Sequence, residues 1–108
     1  MKFKSFCFSS DLNANQMSNE INSFLDKEKI RLTEVTIGSL GEDCITVGLI
    51  HQPSDMKLNY QVQISAFPQG EENQIDHKVN EFIDGRNVEF LESCNCWGIW
   101  MVLIATTS

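Results

Sequence analysis

The sequence predicts an α+β fold in which a βαββ unit occurs twice. The first observation is an internal repeat: when the chain is shifted against itself by 58 residues, residues 15–26 align with residues 73–84. Five of the twelve aligned positions are identical: Asn15/Asn73, Gln16/Gln74, Asn22/Asn80, Phe24/Phe82 and Asp26/Asp84. Two unrelated amphipathic helices would share apolar positions but not these polar ones, so the sequence indicates a duplication.

The second observation is that each repeated segment has the periodicity of an amphipathic α-helix. Apolar residues recur at i, i+4, i+7 and i+8, which is one helical face. They are Met17, Ile21, Phe24 and Leu25 in the first copy and Ile75, Val79, Phe82 and Ile83 in the second. Asn13 and residues 71–73 precede the helices with polar or acidic groups suited to the first turn, and Gly85 is expected to end the second helix in a left-handed conformation.

The third observation is that strand-like runs surround each helix. Alternating apolar residues precede the helices, namely Phe6 and Phe8 in the first copy and Val62, Ile64 and Ala66 in the second. A β-type run follows each helix, and each copy closes on an apolar strand; these runs are residues 30–37, 88–93, 45–50 and 99–105. Allowing a shorter loop in the second copy, Leu49-Ile50 matches Leu103-Ile104. The units are residues 2–52 and 60–107, joined by a polar connector, 53–59.

The 108 residues suffice for a single domain, 1–108, in which the two pseudo-repeats share a core. We expect one mostly antiparallel sheet with both helices on one face. The closing strands are apolar on both faces, so the uncovered face would carry Trp100, Val102 and Ile104. Such a patch is typical of an interface and predicts a homo-oligomer, with a dimer favoured, or a bound partner. The alternative is a sheet that curls strongly enough to hide the patch.

Acidic residues dominate the charge, especially in the second unit. The chain has 15 Asp and Glu against 8 Lys and Arg, a net charge of −7, which argues against direct nucleic-acid binding. The second unit offers an acidic interaction surface that could fit a basic pocket of a partner protein: Glu71, Glu72, Asp76, Glu81 and Asp84. The alternative is a solvated helix face that keeps the protein soluble.

The sequence contains no GxSxG, P-loop, GxGxxG or HExxH motif, and neither His51 nor His77 has a nucleophile at a motif spacing. We therefore predict a protein that is not an enzyme and has no cofactor. Cys44, Cys94 and Cys96 are candidate metal ligands, although reduced cysteines used as small apolar side chains are the alternative.

The N-terminal segment reaches Asp11 before an apolar run of signal-peptide length accumulates. The longest apolar run, residues 97–105, is about half of a membrane span. We therefore predict a cytoplasmic protein that does not associate with membranes and whose cysteines are reduced.

The first copy combines a Lys2-Phe3-Lys4 strand, a Glu20-Ile21-Asn22-x-Phe24-Leu25 helix, an Ile30-x-Leu32 strand and a Val47-Gly48-Leu49-Ile50 strand. This pattern resembles a family of short bacterial and phage proteins that includes a small sporulation-associated protein. The resemblance covers residues 2–52 and implies a βαββ building block and a cytoplasmic setting, without active-site residues. The second, diverged copy departs from that family.

These observations predict a non-enzymatic binding protein, which we interpret as a phage or mobile-element counter-defence factor that blocks a host protein. A second hypothesis is that the chain sequesters a nucleotide-type signalling ligand at a subunit interface, where helix N-termini would hold a small anionic ligand. A third is a thiol-based metal or redox protein that uses Cys94 and Cys96.

Overall fold

The computed structural model describes residues 1–9, 11–41 and 43–108 and contains the βαββ order twice. The elements of the first unit are β1 (Lys2–Ser9), α1 (Ala14–Lys27), β2 (Ile30–Leu40) and β3 (Cys44–Pro53). Those of the second unit are β4 (Tyr60–Pro68), α2 (Ile75–Ile83), β5 (Asn87–Cys96) and β6 (Ile99–Thr107), with a 3₁₀ turn (Glu72–Gln74) before α2. The predicted order of helices and strands is confirmed.

The strands form two three-stranded antiparallel sheets rather than one. Sheet A has the order β1-β3-β2 and sheet B the order β4-β6-β5. The α+β class is confirmed, and the two sheets are consistent with a duplicated unit, but the prediction of one sheet with both helices on one face is wrong. The physical reason is that the last strand of each unit lies between the other two, so each unit completes its own sheet.

A shared bulge shows which positions of the two sheets correspond. The register shifts between Leu32 and Glu34 in β2, and between Val88 and Phe90 in β5. Aligning the sheets on this bulge gives the corresponding pairs: Phe3 with Val62, Ser5 with Ile64, Phe8 with Phe67, Val35 with Leu91, Ile45 with Trp100, Val47 with Val102 and Leu49 with Ile104. The match of Leu49 to Leu103 proposed from the sequence is therefore one residue out of register, which exchanges the two faces of the strand.

The helix-free face of sheet B packs against the helix-bearing face of sheet A. One core cluster joins α1 and both sheets, with Ile21, Leu49 and Leu103 at its centre. The other face of sheet B lies beneath α2, in a smaller cluster. Val102 and Ile104 belong to that smaller cluster and are 3% and 2% exposed, so the expectation that they lie on an open face is corrected. Trp100 remains 42% exposed.

Helix α1 is fixed at both ends. Asn13 and Gln16 form a reciprocal capping box at its N-terminus. At its C-terminus, Lys57 Nζ of the connector donates hydrogen bonds to the carbonyl oxygens of Leu25 (3.3 Å) and Asp26 (2.7 Å). Helix α2 is shorter and has no side-chain N-cap, and Gly85 follows it with φ +73°, as predicted.

A disulfide between Cys7 and Cys44 links β1 to β3, with Cα atoms 6.0 Å apart. This corrects the expectation of four reduced cysteines and removes Cys44 from the candidate metal ligands. The antiparallel register of β1 and β3 brings the two residues together, because Cys7 lies opposite Thr46 and Cys44 opposite Ser9. Disulfides persist mainly in oxidising compartments and are rare in the cytosol. The cytoplasmic location stays a prediction. In the described part of the chain, the helices are too short or too polar to cross a membrane.

Candidate strand-binding groove

Helix α1 binds the edge of strand β4 through hydrogen bonds to its backbone. Val62 N–H donates to Asn22 Oδ1 (2.7 Å), and Asn22 Nδ2 donates to the Val62 carbonyl (3.0 Å). Two residues on, Ile64 N–H donates to Ser18 Oγ (2.9 Å). Since β4 is an edge strand, these side chains satisfy backbone groups that another strand would otherwise pair.

Sheet B packs into an apolar groove between α1 and β2, which we call the first groove; its strand β4 lies against α1 and its strand β5 against β2. The residues of the first groove are Met17, Ser18, Ile21, Asn22, Val35, Ile37, Ile45 and Val47. Val62 and Ile64 of β4 are buried. Val35 and Ile45, which form the floor of the first groove, are buried as well. The first groove is therefore a site that already holds an extended strand, through both backbone and side-chain contacts.

The second unit has a corresponding groove of about 170 Å³ between α2 and β5, which we call the α2 groove. Its residues are Ile75, Asp76, Val79, Asn80, Leu91, Ser93, Trp100 and Val102. Each corresponds to a residue of the first groove through the helix repeat or the shared bulge. Leu91 and Trp100 are 45% and 42% exposed, whereas their counterparts Val35 and Ile45 are 1% and 3% exposed.

The α2 groove also keeps the polar groups that bind a strand. Asn80 is identical to its counterpart Asn22 and offers one amide donor and one amide acceptor. Asp76 replaces Ser18, and its carboxylate can accept a backbone N–H as the Ser18 hydroxyl does. Both side chains are exposed, so they are available to a partner.

Of the five acidic residues predicted for the interaction surface, only Asp76 lines the α2 groove. Glu72 accepts a hydrogen bond from Gly70 N–H (3.0 Å), and backbone hydrogen bonding lowers the pKa of its carboxyl below the ordinary value. Glu81 lies 3.4 Å from His77 on the same helix. Glu71 precedes the 3₁₀ turn before α2, and Asp84 directly follows α2.

The remaining thiols form a close pair outside the α2 groove. The Sγ atoms of Cys94 and Cys96 are 3.3 Å apart, and burial raises the pKa of Cys94 to about 12. A thiol with a raised pKa is a poor metal ligand and nucleophile, because the thiolate is the reactive form. Within residues 1–9, 11–41 and 43–108, the structure contains no group of three or more His, Cys, Asp or Glu residues that could hold a metal ion.

A cleft of about 280 Å³ lies between the first turn of α1 and helix α2. Lys78, Asn15 and Gln63 contribute its polar groups, and the Lys78 Nζ lies 5.9 Å from the centre of the Phe67 ring. These groups match a small anionic ligand with an apolar part. The cleft is the feature of the structure that best fits the nucleotide hypothesis.

Comparisons of the chain with protein-family models, with curated proteins and with solved structures found no match. The predicted resemblance of residues 2–52 to short bacterial and phage proteins therefore stays a prediction. The sequence contained one signal for the groove, which is the identical pair Asn22 and Asn80. It contained no signal for the exposure of Leu91, because that exposure depends on how the two units pack.

Proposed function

We propose that this protein is a non-enzymatic binding protein whose α2 groove accepts an extended segment of a protein partner. One observation carries the proposal: the first groove binds the edge of β4, and the second unit repeats that groove with its asparagine unchanged and its apolar floor exposed. Exposed apolar side chains next to exposed polar groups are typical of recognition surfaces.

The groove defines the chemistry of the segment. Asn80 would bind the N–H and C=O of one backbone residue, and Asp76 would accept the N–H two residues further on, as Asn22 and Ser18 do in the first unit. The side chain of the residue bound by Asn80 would face the groove and should be apolar, as that of Val62 is in the first unit. Because the groove and both ends of α2 are acidic, basic side chains should flank that apolar residue. Recognition of a strand edge in this way resembles β-augmentation, with a helix in place of one strand.

The origin of the partner follows from the sequence-based hypothesis. If the chain is a phage or mobile-element counter-defence factor, the segment belongs to a host protein, and binding blocks that protein. The α2 groove supports binding of a strand-like segment without distinguishing among partners that carry one.

The experiment is an NMR titration of ¹⁵N-labelled protein with a short peptide that alternates valine and lysine. We expect shift changes at the Asn80 side-chain amide and at the Leu91 and Trp100 amides. Asn80→Ala should weaken binding about tenfold, because two hydrogen bonds are lost. The matched control is Asn19→Ala, an exposed asparagine of α1 outside both grooves. The proposal fails if the peptide does not bind or if both variants bind it equally.

A second candidate function, binding of a nucleotide-type ligand, is favoured by the cleft that contains Lys78. Its test is a thermal-shift series with nucleotides, which stabilise the folded protein if they bind it. We expect Lys78→Gln to remove the shift and Lys29→Gln, an exposed lysine outside the cleft, to keep it. A series without any shift would contradict this function.

A further inference from the structure

We infer that the segment bound in the α2 groove is strand β1 of a second copy of this chain. The inference rests on the proposed function and names its partner. Strand β1 is the counterpart of β4 in the repeat, and β4 lies along α1 in the first groove. Both are edge strands, but α1 covers the edge of β4, whereas β1 has its outer edge at the end of sheet A.

The backbone of β1 offers the groups that the α2 groove requires. Alignment on the shared bulge places Phe3 at the position of Val62 and Ser5 at the position of Ile64. The N–H and C=O of Phe3 would therefore meet the Asn80 amide, and the N–H of Ser5 would meet the Asp76 carboxylate. These contacts reproduce the three hydrogen bonds that join α1 to β4.

The side chains of β1 also suit the groove. Phe3 is 67% exposed and occupies the position of Val62, the side chain that is buried against the first groove. Its ring lies across Gly48, where an added Cβ would come within 2.9 Å of the ring. In the docked arrangement this ring would enter the α2 groove as the Val62 side chain enters the first groove.

Charge complementarity favours the same pairing. Lys2 and Lys4 flank Phe3, whereas residues 60–108 contain seven acidic and two basic residues. Docking would bring Lys4 next to Asp76, which increases both the rate and the specificity of association. The alternative dimer, in which two β1 strands pair with each other, would place lysines opposite lysines and is disfavoured.

The resulting interface is heterologous, because the α2 groove and β1 are different surfaces of the same chain. Copies would therefore associate head to tail, and the assembly would grow until it closes into a ring or is limited by concentration. This geometry gives a distinctive experimental signature, since each copy has one groove and one strand.

The experiment is sedimentation velocity of the full chain over a range of concentrations, with two variants. The groove variant carries Asp76→Lys and Asn80→Ala, and the strand variant carries Ser5→Pro, which removes an N–H at the free edge where proline is tolerated. Lys4→Glu is a second strand variant, for use if Ser5→Pro does not fold. We expect the wild-type mass to rise with concentration and each variant alone to remain monomeric. An equimolar mixture should form a 1:1 complex that grows no further, because one intact groove meets one intact strand.

Three outcomes would overturn the inference. A wild-type chain that stays monomeric at millimolar concentration excludes a second copy, and the valine–lysine peptide titration then shows whether the proposed function survives. Self-association of both variants, each as well as the wild type, shows that another surface joins the copies. Two monomeric variants that do not associate when mixed indicate an isologous interface.

In a further arm, a peptide of residues 1–9 with Cys7→Ser should inhibit wild-type assembly, and a scrambled peptide should not.

Discussion

The two grooves of this protein have corresponding residues but different surroundings. The first groove is filled by sheet B, with β4 along α1, so Val35 and Ile45 are buried. The α2 groove lies in the second unit, and the corresponding Leu91 and Trp100 are exposed. The comparison shows that this kind of groove is buried where sheet B packs on it and is exposed where none of the described residues does. In repeat proteins, likewise, each unit is buried by its neighbour.

The two helices also differ in the part of the core to which they contribute. Helix α1 contacts both sheets and contributes Met17, Ile21 and Leu25 to the shared core, whereas α2 packs on its own sheet through Ile75 and partly buried residues. Mutations at corresponding positions should therefore change stability in the first unit and binding in the second. The following predictions test that difference, from the largest expected effect to the smallest.

Ile21 and Val79 are corresponding helix residues with unequal burial. Ile21→Ala should lower the free energy of unfolding by about 4 kcal/mol, because it creates a cavity in the shared core. Val79→Ala should cost about 1 kcal/mol, because Val79 is only partly buried. Denaturant unfolding followed by circular dichroism measures both. Equal losses would contradict the assignment of the core to α1.

The Cys7–Cys44 disulfide belongs to the first unit only, since the corresponding residues of sheet B are Ala66 and Ile99. The bond closes a sequence separation of 37 residues, so Cys7→Ser combined with Cys44→Ser should lower the free energy of unfolding by about 3 kcal/mol. A reductant should destabilise the wild type to the same level and leave the double variant unchanged. A wild-type mass that shows four free thiols would exclude the bond.

Asn22 and Asn80 are identical residues with different partners. Asn22→Ala should cost about 2 kcal/mol, because it leaves the N–H and C=O of Val62 without their hydrogen bonds. Asn80→Ala should change the stability of the monomer by less than about 0.5 kcal/mol. Thermal unfolding at low protein concentration makes the comparison. A large loss in Asn80→Ala would show that this side chain is structural.

The partly buried thiol of Cys94 predicts a dependence of stability on alkaline pH. Burial raises its pKa from 9.0 to about 12, so the folded state retains the proton in a range where the unfolded thiol ionises. Stability should therefore fall as the pH rises from 9 towards 12, and the effect should be absent below pH 9. Cys94→Ser should flatten this dependence. Unfolding at each pH, read soon after mixing to avoid thiol exchange, provides the measurement; equal slopes in both proteins would contradict the prediction.

The sequence predicted the elements of the fold because their signals are local. The helical periodicity, the Asn13 cap and Gly85 all act within a few residues, and each is present in the structure. The separation into two sheets could not be predicted in this way. Val62 and Ile64 alternate as buried strand residues do in either arrangement, and the pattern does not specify whether their free edge meets a strand or a helix.

The candidate site was predicted only in part, for a related reason. Trp100, Val102 and Ile104 lie on strand β6, but α2 covers two of them and leaves the first exposed. The one-residue error in matching the closing strands assigned the wrong face to the helix, and no local pattern corrects such an error. The Cys7–Cys44 disulfide was not predicted, because it depends on the register between β1 and β3, which no local pattern specifies.

The central claim is that α1 covers the edge of β4 while the corresponding edge of β1 is open for a partner. Amide hydrogen exchange measured by NMR at low concentration tests it most directly, since it compares Val62 and Ile64 with Phe3 and Ser5. We predict that the first two amides exchange slowly and the last two nearly as fast as in an unfolded chain. Slow exchange at Phe3 and Ser5 in the monomer, or fast exchange at Val62 and Ile64, would contradict the claim.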